Sequence, residues 1–274
     1  MYCYEGEDRR GGRRTGVFRV CRTVDKGTMG KLITVIIPAY NCADTIEAAI
    51  ESVLNQEVPV EILVLNDQSP DHLDAVMEKY KENESVHYIH NEKNLGAAGS
   101  RNKGVSMAET PYVAFLDADD IWAGGKLKKQ LERIKETGVV LCSTGRQLMR
   151  PDGTCTEKYI PVKARITYKE LLRHNSINCS SVLLKTEVAR EFPMEHEDSH
   201  EDYITWLKIL KKYGIAAGID EPLLLYRLTT TGKSGNKVKS ASMNWKVYRY
   251  MGFGYIRSCF YFCSYAIHGI IKYL

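Results

Sequence analysis

Three clusters in this chain hold side chains able to act on a charged substrate. The first is Asp117-Ala118-Asp119-Asp120. Alternate residues of an extended chain point the same way, so Asp117 and Asp119 can face one site. Such a pair suits a hard divalent cation, Mn²⁺ or Mg²⁺, which takes carboxylate and phosphate oxygens. A bare D-x-D is also a common solvated turn. Its place directly after the apolar run Tyr112–Leu116 favours a site, because carboxylates at the end of a buried strand need a partner or water.

The second cluster is Asn94-Leu95-Gly96-Ala97-Ala98-Gly99-Ser100-Arg101-Asn102. Small residues let backbone approach a ligand, a helix N-terminus favours anions, and Arg101 has the geometry to clamp a phosphate or stack near a base. A tight loop with its arginine in a structural ion pair accounts for the same residues. The third is Glu201-Asp202, ahead of an apolar stripe that runs through Trp206. Two acids at a helix start also suit the helix dipole without any further role.

The elements that must position these groups alternate in type. Leu32–Ile37 is a β-branched apolar run ended by Pro38, which predicts a strand buried on both faces. Asp44 and Glu47 have capping-box spacing before a helical stripe through Leu54. Further strands are expected at Ile62–Leu65, Val86–Ile89, Tyr112–Leu116 and Val139–Ser143, with helices between them. This β-α-β-α order predicts a mostly parallel sheet with helices on both faces. Such sheets bind ligands beyond the carboxyl ends of their strands. Asp67 and the Asp117/Asp119 pair fall at two of those ends. In the second half, Pro151-Asp152-Gly153 marks a turn. Thr167 and Glu170 have capping-box spacing before a short helix, Val182–Leu184 and Leu223–Leu228 read as strands, and Glu201–Tyr213 reads as a helix stopped by Gly214.

Charge is unevenly spread over the 274 residues. Residues 1–28 carry seven basic and four acidic groups, and 222–274 carry eight basic and none acidic, so the segment between is acidic on balance. An acidic body argues against a nucleic-acid partner. Residues 1–28 lack a periodic apolar pattern and an apolar signal core. They are expected to be an upstream over-extension or a disordered arm, with the protein proper starting at Met29. The eight cysteines include no C-x-x-C pair, which fits reduced thiols in a cytosolic protein.

The blocks Ile33–Asn41, Asn66–Asp71, Asn94–Gly104, Phe115–Asp120 and Glu201–Leu207, in this order, resemble the family 2 glycosyltransferases. The resemblance spans residues 32–228 and has the flavour of bacterial enzymes that build capsule, teichuronic-type or other envelope polysaccharides. It implies a GT-A fold, a Rossmann-like catalytic domain over 29–230. It also implies inverting transfer of a sugar from a nucleotide-diphosphate donor, usually a UDP-sugar, to a hydroxyl of a saccharide or polyprenyl-diphosphate-linked acceptor. Pro38, Ala39 and Tyr40 would line the nucleotide pocket, and Asp67 would bond the base. Arg101 would sit near base or diphosphate. Asp117 would face the ribose, Asp119 would bind the cation, and Asp202 would be the general base beside Glu201. Where relatives have two acids, this chain has Asn66-Asp67. Ser100 stands for a common Ala, Gly124 for a common Pro, and Leu228-Thr229 follow Tyr226-Arg227 where relatives carry a His. A non-catalytic nucleotide-sugar-binding module is the alternative that keeps the donor pocket. A nucleotidylyltransferase would need a Gly-rich, Arg-containing loop where Pro38–Asn41 stand.

The tail, 231–274, turns aromatic and basic. Ile256, Phe260, Cys263 and Ile267 fall on one helical face, and Arg257, Tyr261, Tyr265, His268 and Lys272 on another. The uncharged run 258–271 is shorter than the ~20 residues a spanning helix needs. The expectation is a helix lying on anionic lipid at the cytoplasmic face of the plasma membrane. A helix packed on the catalytic domain or in a homodimer is the alternative.

Overall fold

The computed structural model describes residues 30–228 and 237–273. The expectations for residues 1–28 and for a polar loop at 229–236 lie outside the described residues.

In chain order the elements are β1 (Ile33–Ala39), α1 (Ile46–Leu54), β2 (Val60–Asn66), α2 (Leu73–Met77), β3 (Val86–His90), α3 (Gly96–Met107), β4 (Tyr112–Phe115), β5 (Ile121–Trp122), α4 (Lys126–Thr137), β6 (Leu141–Met149), β7 (Cys155–Ile160), β8 (Arg165–Thr167), α5 (Tyr168–Arg173), β9 (Leu183–Lys185), α6 (Thr186–Glu191), α7 (Glu201–Tyr213), β10 (Ile215–Arg227), α8 (Lys237–Tyr250) and α9 (Tyr255–Tyr273). The sheet order is β3-β2-β1-β4-β9-β6-β10-β5, with β7 on β6 and β8 on β10. Parallel pairing joins β3, β2, β1 and β4, and again β6 and β10. Strand β9 runs antiparallel between β4 and β6 and joins the two parallel groups. Among the described strands four pairings are parallel and five antiparallel, so the sheet is mixed; the parallel order that the alternation predicted holds from β3 to β4 and again between β6 and β10.

Successive residues of β1 supply opposite cores. Ile33, Val35 and Ile37 belong to one core together with residues of α1, α2 and α4. Ile36 joins Val105, Leu171, Trp206 and Val247 in the other. Central parallel strands are covered on both sides, which is why the run is apolar without alternation. Pro38 costs the ladder nothing on the β4 side, because pairing there ends at Ile36–Phe115.

Several local expectations change in the structure. The capping box at Asp44 and Glu47 does not form. The Cys42 carbonyl accepts from the Thr45 and Ile46 amides, α1 starts at Ile46, and Glu47 pairs with Lys79. The second box does form: Thr167 and Glu170 bond reciprocally at the start of α5. The strand expected at Leu223–Leu228 is the end of a longer one. Its register shifts around Pro222 split the apolar pattern of β10 in two. Gly214 ends α7 with φ +87°, a conformation open to glycine.

Candidate active site

Strands β1, β2 and β4 lie side by side and parallel, so their carboxyl ends open on one edge of the sheet. At the end of β1, Ala39 is buried in the core and presents only backbone, and its carbonyl accepts the Asp67 amide at 2.9 Å. Pro38 is half-buried. Tyr40 is 54% exposed, an uncovered aromatic face at the rim.

Asp67 follows β2 and is buried. Its Oδ1 accepts from the Leu95 amide at 2.7 Å and from Asn91 Nδ2 at 2.8 Å. Asn91, at the end of β3, also donates to Ser100 Oγ at 2.9 Å and accepts from Lys103 at 2.9 Å. Ser100, standing where an alanine is common, thus completes a buried relay that fixes Asp67. Sequence reading did not single out Asn91; its one signal was its place just past a strand end. Asn66 does a different job from an acid. It donates to Tyr88 and Asp74, and its Oδ1 takes the Ser69 amide, which folds the turn. Ser69 Oγ in turn accepts the Asn41 amide at 2.7 Å. Asn41 and Gln68 both hold positive φ, at 50° and 63°, so each of these strand-end loops carries a residue in the left-handed region.

After β4 the chain turns rather than extends. The Asp120 amide donates to the Asp117 carbonyl at 3.0 Å. Exposure still alternates: Asp117 and Asp119 are half-buried, while Ala118 and Asp120 are buried. Burial, and then the charge of Asp117, push the Asp119 carboxyl up to about 6. Burial, and then the charges of Asp117 and Asp119, raise the Asp120 carboxyl well above the ordinary range, and its Oδ1 accepts the Arg227 amide. Arg227 Nε donates to the Asp119 carbonyl at 2.8 Å, so the end of β10 braces the acidic turn.

Arg101, on α3, joins this edge to the third cluster. The residue is 6% exposed, and its guanidinium donates to Asp117 Oδ1 at 2.5 Å and to Glu201 Oε1 at 3.2 Å. It is the structural ion pair that sequence reading left open, and it lies between two of the expected site acids. Asp202, half-buried at the start of α7, accepts its neighbour's Tyr203 amide at 2.7 Å. Burial, and then Glu201, raise its carboxyl above the ordinary aspartate range. Trp206, one turn on, packs against Phe115 of β4 with ring centroids 6.2 Å apart, which ties α7 to the sheet. The anion expected at the N-terminus of α3 is the protein's own. Glu197 Oε1 accepts the Ala97 amide at 2.8 Å, and a Cβ on Gly96 would lie 2.1 Å from Glu197 Oε2.

Among the described residues no three His, Cys, Asp or Glu side chains converge as a cation cage. Asp117 and Asp119 offer two carboxylates, and Mg²⁺ commonly takes one or two carboxylates plus substrate phosphates. Burial, and then the neighbouring Asp117 charge, disfavour the ionised Asp119 carboxyl, and a cation there would offset both, so the donor set fits the group.

The same fold occurs in solved structures. Staphylococcus aureus TarS 1–349 in complex with UDP-GlcNAc aligns with a TM-score of 0.65 at 18% identity, over 79% of this chain and 65% of that one. The mannosyltransferase PcManGT from Pyrobaculum calidifontis, in complex with GDP-Man and Mn²⁺, aligns at 0.64 and 18%, over 83% and 66%. The architecture is that of the GT-A enzymes. Residues 34–181 match Glycosyl transferase family 2, and the chain belongs to that family: it is a glycosyltransferase. It is 37% identical, over 88% of its length and 97% of the relative's, to TuaG of Bacillus subtilis (strain 168), a protein assigned as a teichuronic acid biosynthesis glycosyltransferase. It is 32% identical, over 88% and 95%, to the Escherichia coli UDP-Glc:alpha-D-GlcNAc-diphosphoundecaprenol beta-1,3-glucosyltransferase WfaP.

Proposed function

We propose that this chain moves a sugar from a UDP-sugar, with inversion, onto a hydroxyl of a lipid-linked saccharide during cell-envelope polysaccharide synthesis. The observation that carries this is the Arg101 bridge: one buried guanidinium holds Asp117, on the edge with Asp67 and Asp119, to Glu201 beside Asp202. In this reading Asp67, fixed by Asn91 and Leu95, accepts from the uracil. Pro38, the Ala39 backbone and the exposed Tyr40 ring flank the base, and Asp117 meets the ribose. Arg101 acts through the two acids it orients. Asp202 takes the proton from the acceptor hydroxyl as that oxygen attacks the anomeric carbon. Asp119, with Asp117 beside it, would hold Mn²⁺ or Mg²⁺, which supplies charge stabilisation for the departing diphosphate. The names of the E. coli and B. subtilis relatives support the acceptor and pathway class.

No described helix is long and apolar enough to cross a membrane. Helix α9 nevertheless turns its apolar face outward: Ile256 is 90% exposed, Phe260 and Ile267 are exposed, and so are Cys259 and Cys263. The opposite face packs inward, with Tyr261 stacked on Tyr248 of α8. The side chains of His268 and Lys272 lie outside the described residues. This orientation, with a tail free of acidic residues, supports peripheral contact with the cytoplasmic face of the membrane, where a lipid-linked acceptor is presented.

Isothermal titration of UDP and UDP-sugars with and without Mn²⁺ tests the donor site. Binding is expected to strengthen with the cation in the wild type and to lose that dependence in Asp119→Ala. Equal metal dependence in both proteins would contradict the assignment of Asp119.

A further inference from the structure

The acids of α7 are delivered by the segment 195–200, and that segment is gripped from outside the sheet by α8. The His196 ring stacks on Tyr250 of α8 at 3.7 Å and 7°. Lys246 Nζ reaches Asp198 Oδ2 at 2.7 Å and the Asp198 carbonyl at 3.3 Å, and the Tyr250 hydroxyl lies 3.0 Å from the same carboxylate. Ser240 Oγ lies 3.3 Å from His200 Nε2, two residues before Asp202. Within the segment His196 holds φ +64°, a conformation unfavourable for a histidine unless its surroundings hold it. The Ser199 amide and hydroxyl close a turn on the His196 carbonyl. On its inner side the segment touches α3 through Glu197.

These contacts contribute little to overall stability. Lys246 and Asp198 are both well exposed, and ion pairs between exposed side chains add little to stability. Tyr250 is also exposed. The cores that hold α8, through Val247 and Tyr248, do not need them. What the contacts do is choose one backbone path into α7. We infer that Lys246 and Tyr250 are positioning residues: α8 is a strut that sets Asp202 against the donor edge. The inference rests on the reading of Asp202 as the general base. A misplacement of about 1 Å at a reacting group can cost ~10²-fold in rate.

The test uses the full chain and its Tyr250→Ala, Lys246→Ala and Tyr250→Trp variants. Hydrogen exchange reads the amides of 195–204. Turnover is read as hydrolysis, with water in the acceptor's place and Mn²⁺ present, of whichever of UDP-glucose, UDP-N-acetylglucosamine and GDP-mannose the wild type consumes. Expected in Tyr250→Ala are faster exchange confined to this segment, a kcat lower by about 10- to 100-fold, an unchanged donor KM, and a thermal midpoint within about 4 °C of wild type. Lys246→Ala shows the same pattern to a smaller degree, and Tyr250→Trp, which keeps a ring for His196, recovers most of the rate. Unchanged exchange, or an unchanged kcat in Tyr250→Ala, overturns the strut. Asp202→Asn runs alongside. If it is inactive while Tyr250→Ala is normal, only the strut fails. If it turns over normally, the base assignment and the strut fail together.

Discussion

Asp202 shows how little a residue's type says about its chemistry. A free aspartate, with pKa about 3.9, is a weak base. Here burial and then Glu201 raise it, with His200 and Arg101 acting against them. The sign matters for the base reading: only the ionised carboxylate can take a proton, so activity is lost as pH falls through the raised pKa and is complete above it. The acid limb of kcat against pH is therefore expected above the ordinary aspartate value. Asp202→Asn is expected to lower kcat by about 10²–10⁴-fold while donor affinity measured by titration stays as in the wild type. A variant that binds donor and keeps its rate would remove Asp202 from the role. Arg101 is the complementary case. Its sequence context allowed a ligand clamp or an ion pair, and the structure puts it 6% exposed between two acids. A residue so enclosed acts on substrate through what it holds.

At the scale of elements, the acidic turn after β4 is underpinned by α4. Lys126, in the first turn of α4, is fully buried over the Trp122 ring at 4.0 Å and donates to Gln130 at 2.8 Å. Gln130 in turn donates to the Cys142 and Ser181 carbonyls, linking α4 to β6 and to the chain ahead of β9. Burial pulls the Lys126 amine down to about 7. The folded state then binds fewer protons than the unfolded chain between about pH 7 and 10, so stability rises with pH across that window. Holding an amine near 7 instead of ~10.4 corresponds to about 4 kcal/mol. Losing the hydrogen bond to Gln130 and the contact over the Trp122 ring costs about 2 of these. Lys126→Met is therefore expected to stabilise the fold at pH 7 by about 2 kcal/mol, with the difference from wild type shrinking by pH 9.5. Urea unfolding at both pH values reads this directly; a variant less stable than wild type at both would show that the amine holds α4 in place.

For the whole molecule, the two helices of the tail differ in burial. Helix α8 buries Val247 and Tyr248 in the second core, whereas α9 shows Ile256 and Phe260 to the outside. Lipid insertion of these two side chains is worth about 2 kcal/mol each, and each nearby Lys or Arg adds about 1 on an anionic surface. The double variant Ile256→Asp, Phe260→Asp is expected to stay in the supernatant when sedimented with phosphatidylglycerol vesicles that pull down the wild type. Its thermal midpoint should be unchanged, because neither side chain is buried. Equal pull-down of both proteins would argue that α9 is not the contact.

Except for the two-residue β5, the order of strands and helices through β6, with the boundaries of α7, the cap of α5 and the acids at the strand ends, was legible from residue pattern, because burial on one or both faces writes itself into apolar periodicity. Strand direction and neighbour are not written there. The antiparallel insertion of β9 between β4 and β6 and the union of both halves of β10 across Pro222 depend on contacts between residues far apart in the chain. The same holds for Asn91 behind Asp67, Arg101 between Asp117 and Glu201, and Tyr250 against His196. Residue type limits what a side chain can bond. Which partner it meets is set by how the layers close around the sheet, and only the folded chain decides that.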